Sequence, residues 1–167
     1  MVESICIFEG IYNKRLLPLV YMRPEYDLRC GILTLREKIQ RSYPDIPVTL
    51  HCRGYLTETM KENNPNYHIN EIIGKSCLFV NGRALADSTF AEKIPLNGDD
   101  VLYVNADQVV AARVSGSKLD ILKQALNDVF TLSDFSDLFK IEVDVKLISY
   151  PWDLINNNGK AIIDDFN

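Results

Sequence analysis

Ser4-Ile5-Cys6-Ile7-Phe8-Glu9-Gly10 is a short, apolar, β-prone run closed by an acid and a glycine. A continuous apolar run of this length reads as a buried strand followed by a loop, the kind of strand found near the centre of a sheet. Downstream, Leu28, Ile32, Leu35, Ile39 and Tyr43 recur at spacings of three or four, which predicts a helix with one apolar stripe, ended by Pro44. Its start has two readings. Gly31 weakens a helix interior, and Thr34-Leu35-Arg36-Glu37 is itself a capping-box pattern that would begin the helix later. Pro47 to Cys52 reads as a second strand and Cys77 to Val80 as a third, with a short helix around Leu56 to Lys61 and a polar loop at Asn63 to Asn66 between them. Strand, helix, strand in this order implies parallel pairing.

Beyond this frame, Asp87 or Ser88 can cap a brief helix through Lys93, and Pro95 with Asn97-Gly98 makes a break. Val101 to Val104 and Val109 to Val114 flank Asn105-Ala106-Asp107-Gln108 as a β-hairpin. Ser117 is read as the cap of a helix whose apolar face runs through Leu119, Leu122, Leu126, Val129 and Phe130, and Ser133 as the cap of another short one. Ile141, Val143, Val145 and Leu147 alternate with polar residues, so Ile141 to Ile148 reads as an edge strand with one wet face. The last segment, Tyr150 to Asn167, shows no convincing terminal element and suggests a truncation or a hinge into something else. The expected architecture is a three-layer α/β domain with a mixed, mainly parallel sheet and a ligand cleft at the strand carboxyl ends.

Composition agrees with one domain over residues 1–167. At that length folding hides roughly 70% of the unfolded surface, and 47% hydrophobic with 25% charged residues disfavours disorder, collagen-like sequence and coiled coil. Lys plus Arg total 18 against 23 acidic residues, a net charge of -5, so no global attraction to nucleic acid or to an anionic membrane is expected. Cys6, Cys30, Cys52 and Cys77 lie far apart with no Cys-x-x-Cys pair, which argues against a zinc knuckle and a disulfide framework and fits a reduced, cytoplasmic protein. No basic leader and no membrane-length apolar run is present.

The densest unusual segment is Leu16 to Lys38, directly after the first strand. A loop entering a helix offers free N–H groups and a favourable dipole to a phosphate, and Arg23, Arg29 and Lys38 could add cations. The competing reading is a set of solvated cations paired with Glu25, Asp27 and Glu37, favoured on residues alone because neither a P-loop nor a Gly-x-Gly-x-x-Gly pattern is present. Asn81-Gly82 is either a tight turn after a buried strand or part of a ligand loop, and Arg83 either an anion contact or a rim cation beside Asp87. His51 and Cys52, as neighbours on a strand, point to opposite faces and do not form a dyad; His68 stands alone in a polar loop. Trp152 reads as packing for the terminal segment, with base stacking the lesser alternative.

Leu16-Leu17-Pro18-Leu19, Arg23-Pro24, Leu28-Arg29-Cys30-Gly31-Ile32-Leu33-Thr34 and Arg36-Glu37-Lys38 together resemble the amino-terminal signature of sugar nucleotidyltransferases similar to the amino-terminal domain of N-acetylglucosamine-1-phosphate uridyltransferase. Phe79 to Leu85 and Tyr150 to Leu154 agree with it. The resemblance implies a Rossmann-like nucleotidyltransferase fold, followed in the family by a left-handed β-helix, and hence an oligomer built through that further domain. It also implies a reaction: a sugar 1-phosphate oxygen attacks the α-phosphorus of a nucleoside triphosphate, releasing pyrophosphate. Under it, Arg23 and Lys38 take the catalytic cation roles, and Arg29, Gly31, Thr34, Asn81, Gly82 and Arg83 contact substrate.

Two departures from the family pattern bear on activity. The Gly-rich nucleotide loop with its following Pro-Lys is replaced by Leu16 to Lys38, with Gly31 as its only glycine. Where active uridyltransferases carry a metal-binding aspartate, this chain reads Asn81-Gly82-Arg83, which leaves Asp87 or Asp107 as substitutes for holding Mg2+. A second expectation therefore stands beside the first: a catalytically inactive nucleotide- or sugar-binding module attached to an acyltransferase-like β-helix.

Overall fold

The computed structural model describes residues 1–167. Its centre is β1 (Ser4–Phe8), every residue of which is buried. β1 pairs in parallel with β2 (Val48–Leu50) on one side and with β4 (Ser76–Asn81) on the other, in the register Ile5 opposite Val48 and Leu78. Outward from β2 lies β3 (His68–Ile69), also parallel. Outward from β4 lie β6 (Gln108–Ser115), β5 (Val101–Asn105) and β7 (Lys140–Glu142), giving the order β3-β2-β1-β4-β6-β5-β7. β6 alone runs antiparallel, as the second arm of the β5–β6 hairpin. The three-layer α/β architecture with a mixed, mainly parallel sheet is thus observed.

The period-2 geometry of the strands sorts the core. Ile5, Ile7, Leu78 and Val80 face one side and meet Ile39 and Tyr43 of α1 (Leu35–Ser42), Met60 of α2 (Thr57–Asn63) and Phe90 of α3 (Phe90–Lys93). Cys6, Phe8, Cys77 and Phe79 face the other side, against Leu119 and Leu122 of α4 (Gly116–Gln124) and the rings of Phe130 and Phe135. Each such fully buried side chain contributes about 1.5–3 kcal/mol. All four cysteines are buried and free. No helix is long and apolar enough to cross a membrane.

The later start of the first helix is the one adopted. Thr34 Oγ1 accepts the Glu37 N–H while the Glu37 carboxylate accepts the Thr34 N–H, and Gly31 takes φ +84 in the loop ahead of it. Several expectations are corrected. α4 is preceded by Ser115, not Ser117, because the Asp100 carboxylate fixes the Ser115 N–H and hydroxyl; it ends at Gln124, because Phe130 is drawn away to donate its N–H to the Glu9 carbonyl and fill the aromatic cluster. Thr131, with Asp134, begins the short 3-10 turn Leu132–Phe135 in place of Ser133. His68 lies in a two-residue edge strand. β7 is shorter than the alternation implied: it covers Lys140–Glu142, after which Val145 and Leu147 turn into the core and Leu147 makes an isolated antiparallel bridge to Ala84. The largest correction is at the end, where Pro151–Phe166 forms α5, a helix of 16 residues. The Asp153 carboxylate accepts the N–H groups of Ser149 and Tyr150 at its start.

Candidate functional site

From β1 the chain crosses to β2 and β3 on one side, then returns to β4 and builds the rest of the sheet on the other. The chains leaving the paired carboxyl ends of β1 and β4 therefore run to opposite sides, a switch point of the kind where ligands bind in open α/β sheets. A cavity of about 440 Å³ lies there, lined by Gly10 and Tyr12 after β1, Asn81 at the end of β4 and Arg83 just after it, Gln108 at the start of β6, and Thr131.

Beneath it the fold buries four charged side chains. Glu9, directly after β1, accepts the Arg53 N–H at 2.9 Å and its Nε–H at 3.0 Å on one oxygen, and Arg53 Nη2 at 3.1 Å and the Glu25 N–H at 3.1 Å on the other. Arg53 also donates to the Arg23 carbonyl at 3.0 Å, so this pair ties β1, the segment after β2 and the Leu16–Lys38 segment together. Glu25 accepts the Gly10 N–H at 3.2 Å, and its second oxygen has no hydrogen-bond partner. Burial, and then the neighbouring Glu9 charge, push its carboxyl up to about 8, so at neutral pH it is mostly protonated. Arg83 donates to the Ile148 carbonyl at 3.0 Å and to Gln108 Oε1 at 2.6 Å, while its Nε–H has no acceptor. Burial, the larger effect, lowers the pKa of Arg83 against the pull of Glu25.

Of the residues singled out in the sequence, Asn81 and Arg83 line this crevice. Arg83 is not the rim cation of the competing reading but 1% exposed. Gly82 is held under it by its N–H to the Phe8 carbonyl at 2.8 Å, where a Cβ would come within 2.8 Å of the Tyr26 ring. The other set is gathered elsewhere. The expected anion cradle ahead of α1 exists, but the chain's own Asp165 occupies it. That carboxylate accepts the N–H groups of Ile32 (2.8 Å) and Leu33 (3.1 Å) and pairs with the buried Lys38 ammonium. Lys38 is therefore engaged by α5 and does not reach the crevice. Gly31 packs against Ala161 of α5, its N–H donated to Asn158 Oδ1 at 2.8 Å. Thr34 serves as the helix cap, Arg29 bonds the Ile32 carbonyl, and Arg23 is exposed and lines neither large cavity.

Glu9, Glu25, Arg53, Tyr12 and Gln108 escaped the sequence reading. One signal was available: an acid at the carboxyl end of a wholly apolar strand, Glu9, must be buried and therefore needs a partner. A second cavity of about 500 Å³ lies beside α5, lined by Lys38, Lys93, Lys146 and Lys160 with Asp87, Asp144 and Asp164. Asp87 there accepts from Thr89, and Lys93 donates to the Asp144 carbonyl.

The sequence profile described as "Sugar nucleotidyl transferase" matches residues 5–167. The chain belongs to this family. Family members carry out nucleotidyl transfer. Solved structures agree on the fold. The inositol-1-phosphate CTP transferase from T. maritima superposes with a TM-score of 0.57 at 10% identity, covering 96% of this chain and 98% of that one. The CTP:phosphocholine cytidylyltransferase from Streptococcus pneumoniae gives 0.56 at 12% identity, covering 95% and 98%. HddC from Yersinia pseudotuberculosis gives 0.53 at 12%, covering 96% and 99%. No curated protein sequence matches the chain.

Nucleotidyltransferases of this family commonly use Mg2+. The donor set of this member does not fit it. No three His, Cys, Asp or Glu side chains are grouped to hold a metal ion. At the crevice, Glu9 is bonded to Arg53, Glu25 is held toward its neutral form beside Arg83, and the one carboxylate on the lining is the exposed Asp107.

Proposed function

We propose that this member of the family binds a nucleoside triphosphate in the crevice between β1 and β4 and transfers its nucleotidyl group to a sugar 1-phosphate. A phosphate oxygen of the sugar 1-phosphate attacks the α-phosphorus, a new P–O bond forms, the bond between the α-phosphorus and the bridging oxygen breaks, and pyrophosphate leaves. Such a reaction asks the protein for positioning and for charge neutralisation rather than for a covalent nucleophile. The observation that carries the reading is Arg83, a buried guanidinium with no hydrogen-bonded carboxylate, which lines a cleft at the sheet's switch point. In this reading Arg83 holds a phosphate, the Gly10 and Tyr12 segment forms the wall above it, and Asn81 is fixed as a scaffold by its bond to the Val109 carbonyl at 2.8 Å.

The test is pyrophosphate release by the full chain with a panel of sugar 1-phosphates and nucleoside triphosphates. Turnover with at least one pair, lost in Arg83→Gln while Arg23→Ala and Arg29→Ala retain it, is the expected result. Turnover lost in Arg23→Ala and intact in Arg83→Gln would move the site to the Leu16–Lys38 segment. An absence of turnover across the panel would refute the reaction.

A further inference from the structure

Arg83 is the largest side chain that the fold buries completely. Leaving a buried cation without a counter-charge is expensive, so its surroundings call for an explanation. Its Nη1 donates to the Ile148 carbonyl and, at 3.5 Å, to Ser149 Oγ; its Nη2 donates to Gln108 Oε1. All three acceptors are neutral. The nearest carboxylate oxygen, Glu25 Oε2, lies 4.0 Å from Nε, beyond hydrogen-bond reach, and both atoms are orphaned. The other buried acid, Glu9, is matched by Arg53. Glu25 is thus the one carboxylate within 4.0 Å of Arg83, and no hydrogen bond joins the two. A second guanidinium, Arg15, lies 4.2 Å from the centre of the Tyr12 ring, against which Arg83 also packs at 5.6 Å. The crevice thus has one cation, Arg83, and one carboxylate, the exposed Asp107, on its lining.

Mg2+ asks for oxygen ligands in near-ideal octahedral geometry, with one or two carboxylates among them. A guanidinium offers the reverse: a planar cation that takes phosphate oxygens directly and in pairs. We propose that Arg83 takes the place of a divalent cation in this cleft, so that the polyphosphate of a nucleotide is bound directly by its guanidinium and without need of Mg2+. This rests on the reading of the crevice as the nucleotide site and specifies how that site neutralises charge. It concerns binding and leaves the transfer step as described above.

The experiment is calorimetric titration of the full chain with ATP, GTP, CTP, UTP and inorganic pyrophosphate, each in Mg2+ and again in excess EDTA. The expected result is that at least one nucleotide binds and that its Kd in EDTA stays within about threefold of the value in Mg2+, a difference below 1 kcal/mol. A nucleotide that binds in Mg2+ and loses more than about tenfold in EDTA overturns the inference and leaves the proposed function standing. No binding in either buffer overturns both. Arg83→Gln, which removes the charge, is expected to weaken binding in EDTA by about tenfold or more, with Arg83→Lys recovering part of it. A folded Arg83→Gln protein that binds like the unaltered one also overturns the inference. The comparison of Mg2+ with EDTA uses the native chain, so it decides the matter even where Arg83→Gln fails to fold.

Discussion

Replacing Asp165 with Asn removes one negative charge from the junction of α5 with the loop ahead of α1. The Asp165 carboxylate is 1% exposed and pairs with the Lys38 ammonium, also 1% exposed; Arg41, at 3.6 Å, is 43% exposed. Asn can still accept the Ile32 and Leu33 N–H groups, so the loss falls on the ion pair, and Lys38 is left buried beside a neutral amide. Breaking a buried pair from one side costs roughly 3–5 kcal/mol, and the solvent that reaches Arg41 brings this one below that range, to about 2–3 kcal/mol. For a chain of this size that is a fall in Tm of about 4–12 °C. Burial alone would raise the Asp165 carboxyl, but the Lys38 ammonium and the two backbone N–H groups outweigh it and hold it below the usual carboxylate range. The stabilisation is thus complete above the unfolded value, roughly pH 4, and lost as pH falls through the folded one, so the native and D165N curves should converge in acid. Thermal unfolding by circular dichroism across pH, with amide exchange at Ile32 and Leu33, reads both effects. A Tm within 1 °C of the native protein at neutral pH, with the two amides still protected, would refute the reasoning.

Gly82→Ala is expected to destabilise by about 1–3 kcal/mol, because its Cβ would come within 2.8 Å of the Tyr26 ring and 3.0 Å of the Phe8 carbonyl; chemical denaturation measures this, and an unchanged midpoint would contradict the packing described. Glu25 has a folded pKa raised to about 8, so its contribution to stability is full below the unfolded carboxyl value and is lost as pH rises toward 8. Glu25→Gln should flatten the decline in stability over that interval, and an unchanged pH profile would show that Glu25 is ionised in the fold.

The expected architecture and the observed one agree where local signals were strong and mutually consistent. The apolar run at Ser4–Phe8, the strands at Val48–Leu50 and Ser76–Asn81 and the Thr34 capping box each specify their element through a short-range pattern. α5 was not legible, because Asn156-Asn157-Asn158-Gly159 opposes helix by intrinsic preference. It forms because tertiary partners take up those side chains: Asn157 accepts from Lys146 at 3.0 Å, and Asn158 accepts the Gly31 N–H. The same helix explains why Lys38 and the N–H groups ahead of α1 are engaged away from the crevice. Their spacing matches an anion cradle, but nothing in the spacing says which anion fills it.

By itself, then, the sequence determined the sheet's core strands, the parallel pairing around β1, the crevice at its carboxyl edge and the family resemblance, since these rest on periodicity and on motifs within a few tens of residues. Tertiary structure alone decided which cations face that crevice. Lys38 and Arg83 are both cations that the sequence singles out, yet Asp165, 127 positions further along the chain, neutralises the first. The second lies between strand ends where Glu9 is matched by Arg53 and Glu25 is held toward neutrality. Whether a charge is compensated depends on what long-range packing brings within a few ångströms of it, and one-dimensional spacing carries no record of that distance.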